Sequence, residues 1–378
     1  MSEDAQDFDP SSHPHRRVNP LTGEHVLVSP HRMKRPWQGQ VEPPQSAELP
    51  QYDPKCYLCP GNERAGGQRN DEYEETMTFV NDFAAVLPPP MPLNPKPSHP
   101  LLTAQPVQGA CDVLIFHPRH DLTLARLPID AIQSVIRQWC RIYASRGSQE
   151  GIDLVLVCCA FPARDRTQKF EQLCDVNKSI RPSSTGPRER ACLLCDYVHH
   201  EVGLEEHESR VITKNAHWVA LVPWWAVWPF EVLVLPYKRH VPSLLHLQDD
   251  ERLAFAEILS SVTKRYDNLF QCPFAYSMGI HQRPIPPVKD LDPDVPIQGD
   301  VEDEGDLAHL HVHFAPPLLR SASVRKFLVG FELMAEPQRD LTPEQGAIRL
   351  RACSEIHYLD REEPQQESSK RTNPCELM

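Results

Sequence analysis

The sequence predicts an α+β fold made by duplication. Three observations lead there: two stretches repeat the same ordered features, each is followed by helical periodicity, and each helix leads back into short apolar strands. The first stretch runs CYLCPGNE, FVNDFAAVLPP and VLIFHPRHDLTLARLP; the second runs CLLCDYVH, ITKNAHWVALVP and VLVLPYKRHVPSLLHL. Each holds a C-x-x-C, an apolar strand that contains Asn and ends in Pro, and a second strand closing on histidine. Cys56 therefore matches Cys192, Cys59 matches Cys195, Asn81 matches Asn215 and His120 matches His240. Coincidence among short apolar strands is the alternative, and the ordered agreement of four features argues against it.

A helix is expected after each copy. In the first, Ile132, Val135, Ile136, Trp139 and Ile142 fall on one helical face. In the second, Leu253, Ala256, Leu259, Val262, Tyr266 and Leu269 do so, after the acidic start Asp249–Asp250. The chain then turns back into strands at DLVLVCCAF (153–161) and AYSMGIH (275–281). A last helix opens at LTPEQGAIRLR, with Thr342 as cap, Pro343 in the first turn and Gln345 completing a capping box.

At 378 residues, 40% hydrophobic and 24% charged, the chain is long enough for more than one domain-sized unit and reads as globular. A net charge of -13 disfavours nonspecific binding to nucleic acid or to an anionic membrane. No apolar run spans a bilayer, and MSEDAQDFDPSSHPHRR lacks the apolar core of a signal peptide. Twelve cysteines, two pairs of them spaced C-x-x-C, favour metal thiolates in a reducing compartment, which makes the cytoplasm the expected location. Proline crowds 87–100 and 283–306, which read as surface loops. The expected organisation is a disordered tail over 1–17, an N-terminal half over 18–190, a C-terminal half over 191–358, and a second tail from 359 to 378.

Near the end stands AHLHVHFAPPLLR, with His309, His311 and His313 at every second position. In a strand such spacing gathers three imidazoles on one face and turns Leu310, Val312 and Phe314 to the core. The row can hold a metal or meet a phosphate; the bland alternative is a half-buried strand whose polar face happens to be histidine. Cys56 and Cys59, before the turn-forming Pro60–Gly61, can bind one tetrahedral zinc, with His120 as a third ligand. Cys192, Cys195, His240 and His309 can form a parallel set, or the second cysteine pair is buried packing. In SPHRMKRPWQGQ, His31, Arg32, Lys34 and Arg35 offer forks for phosphate oxygens or merely line a solvated turn. Arg325 and Lys326 pose the same choice.

The stretches HRMKRPWQGQVEP, CYLCPGN, VNDFAAV, HWVALVPWWAVWPFE, RYDNLFQCPFAYSMG and HFAPPLLRSASVRKFLVGFELMAEPQRDLTPEQ resemble the galactose-1-phosphate uridylyltransferase family, of the histidine-triad superfamily. The resemblance covers roughly residues 18 to 153 and 192 to 358. It implies two histidine-triad-like repeats, each an antiparallel sheet with a long helix, packed as one pseudo-symmetric unit. It also implies a homodimer that moves a uridylyl group from UDP-glucose to galactose 1-phosphate by a ping-pong route through a uridylylated histidine. Matched residue by residue, it makes Cys56, Cys59 and His120 ligands of a structural zinc, and His281, His311 and His313 contributors to a second divalent metal site, iron or zinc. Arg32, Arg35, Asn81, Asp82, Lys326, Phe327, Glu332 and Gln338 would contact the nucleotide sugar.

The sequence departs from that pattern at one place. The family's nucleophile lies in a Gly-x-Ser-x-x-His-Pro-His motif after the strand that here reads DLVLVCCAF. This chain continues PARDRTQKFEQLCDVNKSIRPSSTGPRERA, with no histidine between His120 and His199. The fourth zinc ligand and the nucleophile are both expected in this stretch and neither is found there, and the sequence does not place the second metal's glutamate. Three functions are expected: an enzyme of galactose metabolism, a catalytically impaired relative that binds nucleotide sugars, or a chain in which His311 serves as nucleophile.

Overall fold

The computed structural model describes residues 8–34, 49–88, 99–159 (without 103 and 105), 192–297 (without 290) and 308–361 (without 317, 318, 322, 323 and 326–329). Thirteen strands and five α-helices are assigned among these residues. The first hairpin, β1 (His15–Val18) and β2 (His25–Val28), is antiparallel, and β13 (Gln338–Arg339) adds to it in parallel. Its turn follows local chemistry: Asn19 Oδ1 accepts from Leu21 N, and Gly23 takes φ 70°. β1 starts inside the stretch expected to be a disordered tail. Arg17 explains why, since its guanidinium lies 3.7 Å over Trp224 and bonds the Glu344 carboxylate at 2.9 Å, docking the hairpin onto the far half of the chain.

β3 (Met77–Val80) and β4 (Asp112–Ile115) form an antiparallel pair, followed by α1 (Ile129–Gly147). α1 buries Ile132, Val135, Ile136 and Trp139 as its periodicity predicts, and adds Cys140 and Tyr143. Arg146 ties it to β4 through Asp112 at 2.6 Å. β5 (Val157–Cys159) lies within DLVLVCCAF, whose last two residues are outside the described ones.

More elements are described in the second half. α2 (Leu193–Gly203) leads to the hairpin β6 (Val211–Lys214) and β7 (Trp218–Leu221), then to β8 (Val232–Pro236) and α3 (Asp249–Phe270). β9 (Ser277–His281) and β10 (His311–Ala315) come next. Short strands β11 (Leu319–Ser321) and β12 (Val324–Arg325), then α4 (Gly330–Met334) and α5 (Pro343–Arg351), complete it. Asn215, expected within one strand, sits instead in the β6–β7 turn, where its side-chain oxygen accepts from His217 N and Trp218 N. Two of the three expected helices open on a capping box: Gln248 with Glu251 starts α3, just before its acidic first turn, and Thr342 with Gln345 starts α5. Leu253, expected on the apolar face of α3, is 42% exposed.

One six-stranded antiparallel sheet runs β5-β9-β10-β8-β7-β6, so a strand of the first half closes the edge of the second. Period-two alternation divides its faces. Trp218, Ala220, Val232, Val234, Ile280, Val312 and Phe314 pack against α1 and α3, with Trp218 stacked on Phe255 at 4.2 Å. Val219, Leu221, Leu233 and Leu235 face α2. Because His313 opposes Leu233, the odd-numbered histidines of β10 lie on that second face. The arrangement is the expected α+β architecture.

Candidate functional site

Three clusters of chemistry-bearing side chains stand out among the described residues. The first is built on a loop. Asn62 donates to Asp53 O and Cys56 O, and Asn70 donates to Tyr57 O and Cys59 O, each at 2.7–3.0 Å. These amides fix the C-x-x-C turn, which Gly61 leaves at φ 71°. His120 is brought in by its N–H to Gln51 O, and its Nδ1 lies 3.7 Å from Cys59 Sγ. Burial, offset in part by a hydrogen bond from the Asp53 backbone region, raises the Cys59 thiol above its ordinary value. Cys56, Cys59 and His120 hold their donor atoms within 4.8 Å of one another. Two ligands joined to one tetrahedral zinc by bonds of about 2.3 Å (S) and 2.0 Å (N) stand roughly 3.6 Å apart, so these residues fit that metal.

The second cluster draws on three elements. Cys192 caps α2 and Cys195 lies in its first turn. His240 lies beyond β8, and His309 precedes β10. Their donor atoms also fall within 4.8 Å of one another. His309 Nδ1 is 3.1 Å from Cys195 Sγ and 3.8 Å from Cys192 Sγ, and His240 Nδ1 is 3.6 Å from Cys195 Sγ. Cys195 beside it, more than burial opposes, holds the Cys192 thiol well below its ordinary value, with His240 and His309 adding to the effect.

The third cluster sits on the α2-side face of the sheet. β9 and β10 are in register at His281 and His311, so the two rings stack at 5.1 Å. His313 lies edge-on to both at 5.2 Å. His311 Nδ1 is 2.6 Å from His309 O. Burial first, then the neighbouring rings, pushes the pKa of His311 and of His313 down, which keeps the rings neutral, each with one unprotonated nitrogen. The sequence pattern alone leaves this cluster without a carboxylate. The structure puts Glu231 Oε1 at 3.9 Å from His313 Nδ1, while its Oε2 accepts from Val227 N and Trp228 N. The signal was a lone acid inside WPFEVLVLP, since a carboxylate there must find partners.

The histidine row therefore divides. His309 joins the cysteines, whereas His311 and His313 join His281. Leu310, Val312 and Phe314 are fully buried on the opposite face, as the alternation requires.

Of the residues matched to nucleotide-sugar contacts, Arg35, Lys326 and Phe327 lie outside the described residues. Arg32 lies in the turn that follows β2, where its backbone N bonds Ser29 O, and Gln338 Nε2 donates to Ser29 Oγ at 3.3 Å. Glu332 is buried and paired with Arg339. Asn81 and Asp82 come just after β3, on a different sheet from Gln338; Asn81 Oδ1 accepts from Phe83 N, and Asp82 pairs with Arg64 at 3.2 Å.

Strand–helix units carrying cysteine–histidine clusters, with paired histidines on a closing strand, make an α+β fold that solved structures share. A solved structure described as a uridylyltransferase matches it with a TM-score of 0.59 at 24% identity, covering 90% of this chain and 98% of that one. An ADP-glucose phosphorylase from Arabidopsis thaliana matches at 0.61 and 19%, covering 90% and 100%. The chain belongs to the galactose-1-phosphate uridylyltransferase family: the models of its N-terminal and C-terminal domains match residues 6–158 and 183–362. The galactose-1-phosphate uridylyltransferase of Cryptococcus neoformans is 46% identical over 93% of both chains, and that of Haemophilus influenzae is 42% identical over 94% of this chain and 98% of its own. Residues 159–182, where the sequence departs from the family's motif, lie between the two domain matches.

Proposed function

We infer that this chain is a transferase of galactose metabolism that moves UMP from UDP-glucose to galactose 1-phosphate. The observation that carries this reading is the 46% identity, spread over 93% of both chains, with a relative of that name. The reaction is two displacements at one phosphorus. A protein nitrogen bonds to the uridine-linked phosphorus as glucose 1-phosphate leaves with the bridging oxygen. A phosphate oxygen of galactose 1-phosphate then attacks the same phosphorus, forming UDP-galactose and freeing the nitrogen. Such transfer needs positioning and charge neutralisation more than elaborate bond-making. Arg32, Arg35, Asn81, Asp82, Lys326, Phe327, Glu332 and Gln338 would contact the nucleotide sugar.

Cys56, Cys59 and His120 would hold a zinc that stiffens the loop, and His281, His311 and His313 would contribute to a second metal site, iron or zinc. No described helix is long and apolar enough to cross a membrane. The net charge of -13 disfavours binding to nucleic acid or to an anionic membrane; the family resemblance suggests a homodimer, and the C-x-x-C cysteines a reducing compartment such as the cytoplasm. A monomer at micromolar concentration in light scattering would refute the dimer.

One observation favours a second reading. With no histidine between His120 and His199, the segment after β5 supplies no imidazole to attack phosphorus. Such a chain would bind UDP-sugars and transfer poorly, because ground-state contacts survive while the covalent route closes. The test is UDP-glucose labelled in the uridine-linked phosphate. Acid-labile label on the denatured chain, with exchange of galactose 1-phosphate, supports transfer. Binding without label supports the second reading, and the absence of both refutes the two together. Label mapped to His311 would assign the nucleophile to the second repeat.

A further inference from the structure

We propose that Cys192, Cys195, His240 and His309 form a closed, structural zinc site in the C-terminal half, separate from the Cys56–Cys59–His120 site. Four donors of two types converge here, the set that favours tetrahedral zinc over the oxygen-seeking cations. Sulfur–nitrogen separations of 3.6 Å for Cys195 to His240 and 3.8 Å for Cys192 to His309 are close to the edges of a zinc-centred tetrahedron, roughly 3.6 Å, and Cys195 to His309 is shorter at 3.1 Å. His309 Nε2 lies 3.1 Å from Pro236 O. That carbonyl can only accept, so the proton sits on Nε2 and Nδ1 turns its lone pair toward the thiols, the usual outer support of a ligating histidine. The rings of His240 and His309 stand at 84° to each other, which aims two nitrogens at one point without collision.

Burial separates this reading from the alternatives. Cys192 and Cys195 are each 2% exposed and His309 is 1% exposed, so a redox partner has no approach to the pair. Ordinary packing would not gather two imidazole nitrogens onto two buried thiols. The site would lock the start of α2 to the exit of β8 and the entry of β10. His311 stands two residues later, so the same ion would hold the strand that presents the histidine cluster.

The test uses the full chain loaded with Co(II), whose thiolate charge-transfer and tetrahedral d–d bands report the donor set. In the Cys56→Ser/Cys59→Ser variant any such bands come from the C-terminal set. The expected result is one equivalent of tetrahedral, thiolate-bound cobalt in that variant and loss of the equivalent in Cys192→Ser/Cys195→Ser. Should the second variant fail to fold, the first decides alone. Absence of thiolate–cobalt bands in a folded Cys56→Ser/Cys59→Ser protein, or recovery of Cys192 and Cys195 as a disulfide that binds no metal, overturns the proposal.

Discussion

The two halves carry the same C-x-x-C signal and build different things from it. In the first half the pair lies in a loop, with Cys56 and His120 partly exposed and three ligands gathered. In the second it opens a helix, with both thiols buried and four ligands gathered. The local cause is the chemistry of the neighbouring residues. Pro60–Gly61 cannot continue a helix, whereas Leu193, Leu194 and the residues after Cys195 can. The distant cause is the closing strand. β10 begins just after His309 and delivers the fourth ligand. The counterpart after β5 falls in residues without a histidine. Among the described residues the first cluster thus gathers three donors and the second four.

If that contrast is right, removing the second cluster should cost far more than removing the first. Cys192→Ser/Cys195→Ser should destabilise the chain by roughly 5 kcal/mol or more, because metal binding there is coupled to folding of α2, β8 and β10. Cys56→Ser/Cys59→Ser should cost a fraction of that, since the loop's asparagine bonds remain. Urea unfolding of both variants compares the two costs; equal losses would break the contrast.

The strands that precede the two histidines sharpen it next. Every residue of β8 is buried, whereas every residue of β4 is only half-buried. Leu233→Ala should cost about 2–5 kcal/mol, the range for a core leucine that leaves a cavity, and Leu114→Ala clearly less. The same unfolding curves give both values.

A smaller contrast lies in two histidines outside the clusters. Burial first, then Arg283, Arg239 and His240, lowers the pKa of His246 to about 4, while Ser243 Oγ meets its Nδ1 at 2.8 Å. The unfolded chain binds its proton more readily, so this neutral ring's contribution is fully present above about pH 6.5. It is lost as pH falls toward 4, to a total on the order of 3 kcal/mol. His117 in the first half is shifted the same way, by burial and then Arg119, but is less enclosed. Stability measured from pH 7.5 to 4.5 should fall less steeply in His246→Gln, and change little in His117→Gln.

Much of this was legible beforehand. The ordered pairs Cys56–Cys192 and His120–His240 marked where the two cysteine–histidine clusters form, and the apolar spacing of α1 and α3 placed both long helices. The capping box at Thr342 fixed α5. What escaped depends on contacts distant in sequence. Arg17 makes β1 part of the fold only because Trp224 and Glu344 meet it there. The division of the histidine row was invisible for the same reason. Spacing puts His309, His311 and His313 on one face, but the elements packed there decide which cluster each ring joins. Glu231 was hidden among aromatic residues that look like uninterrupted core.

The unequal completeness of the two metal clusters is tested most directly by following zinc release from the untouched chain under a chelator, with timed cysteine alkylation read by peptide mass. The account predicts two phases: Cys56 and Cys59 become reactive as the first ion leaves, and Cys192 and Cys195 only with the second, much slower one. A single ion released in one phase, or alkylation of Cys192 and Cys195 before Cys56 and Cys59, would contradict it.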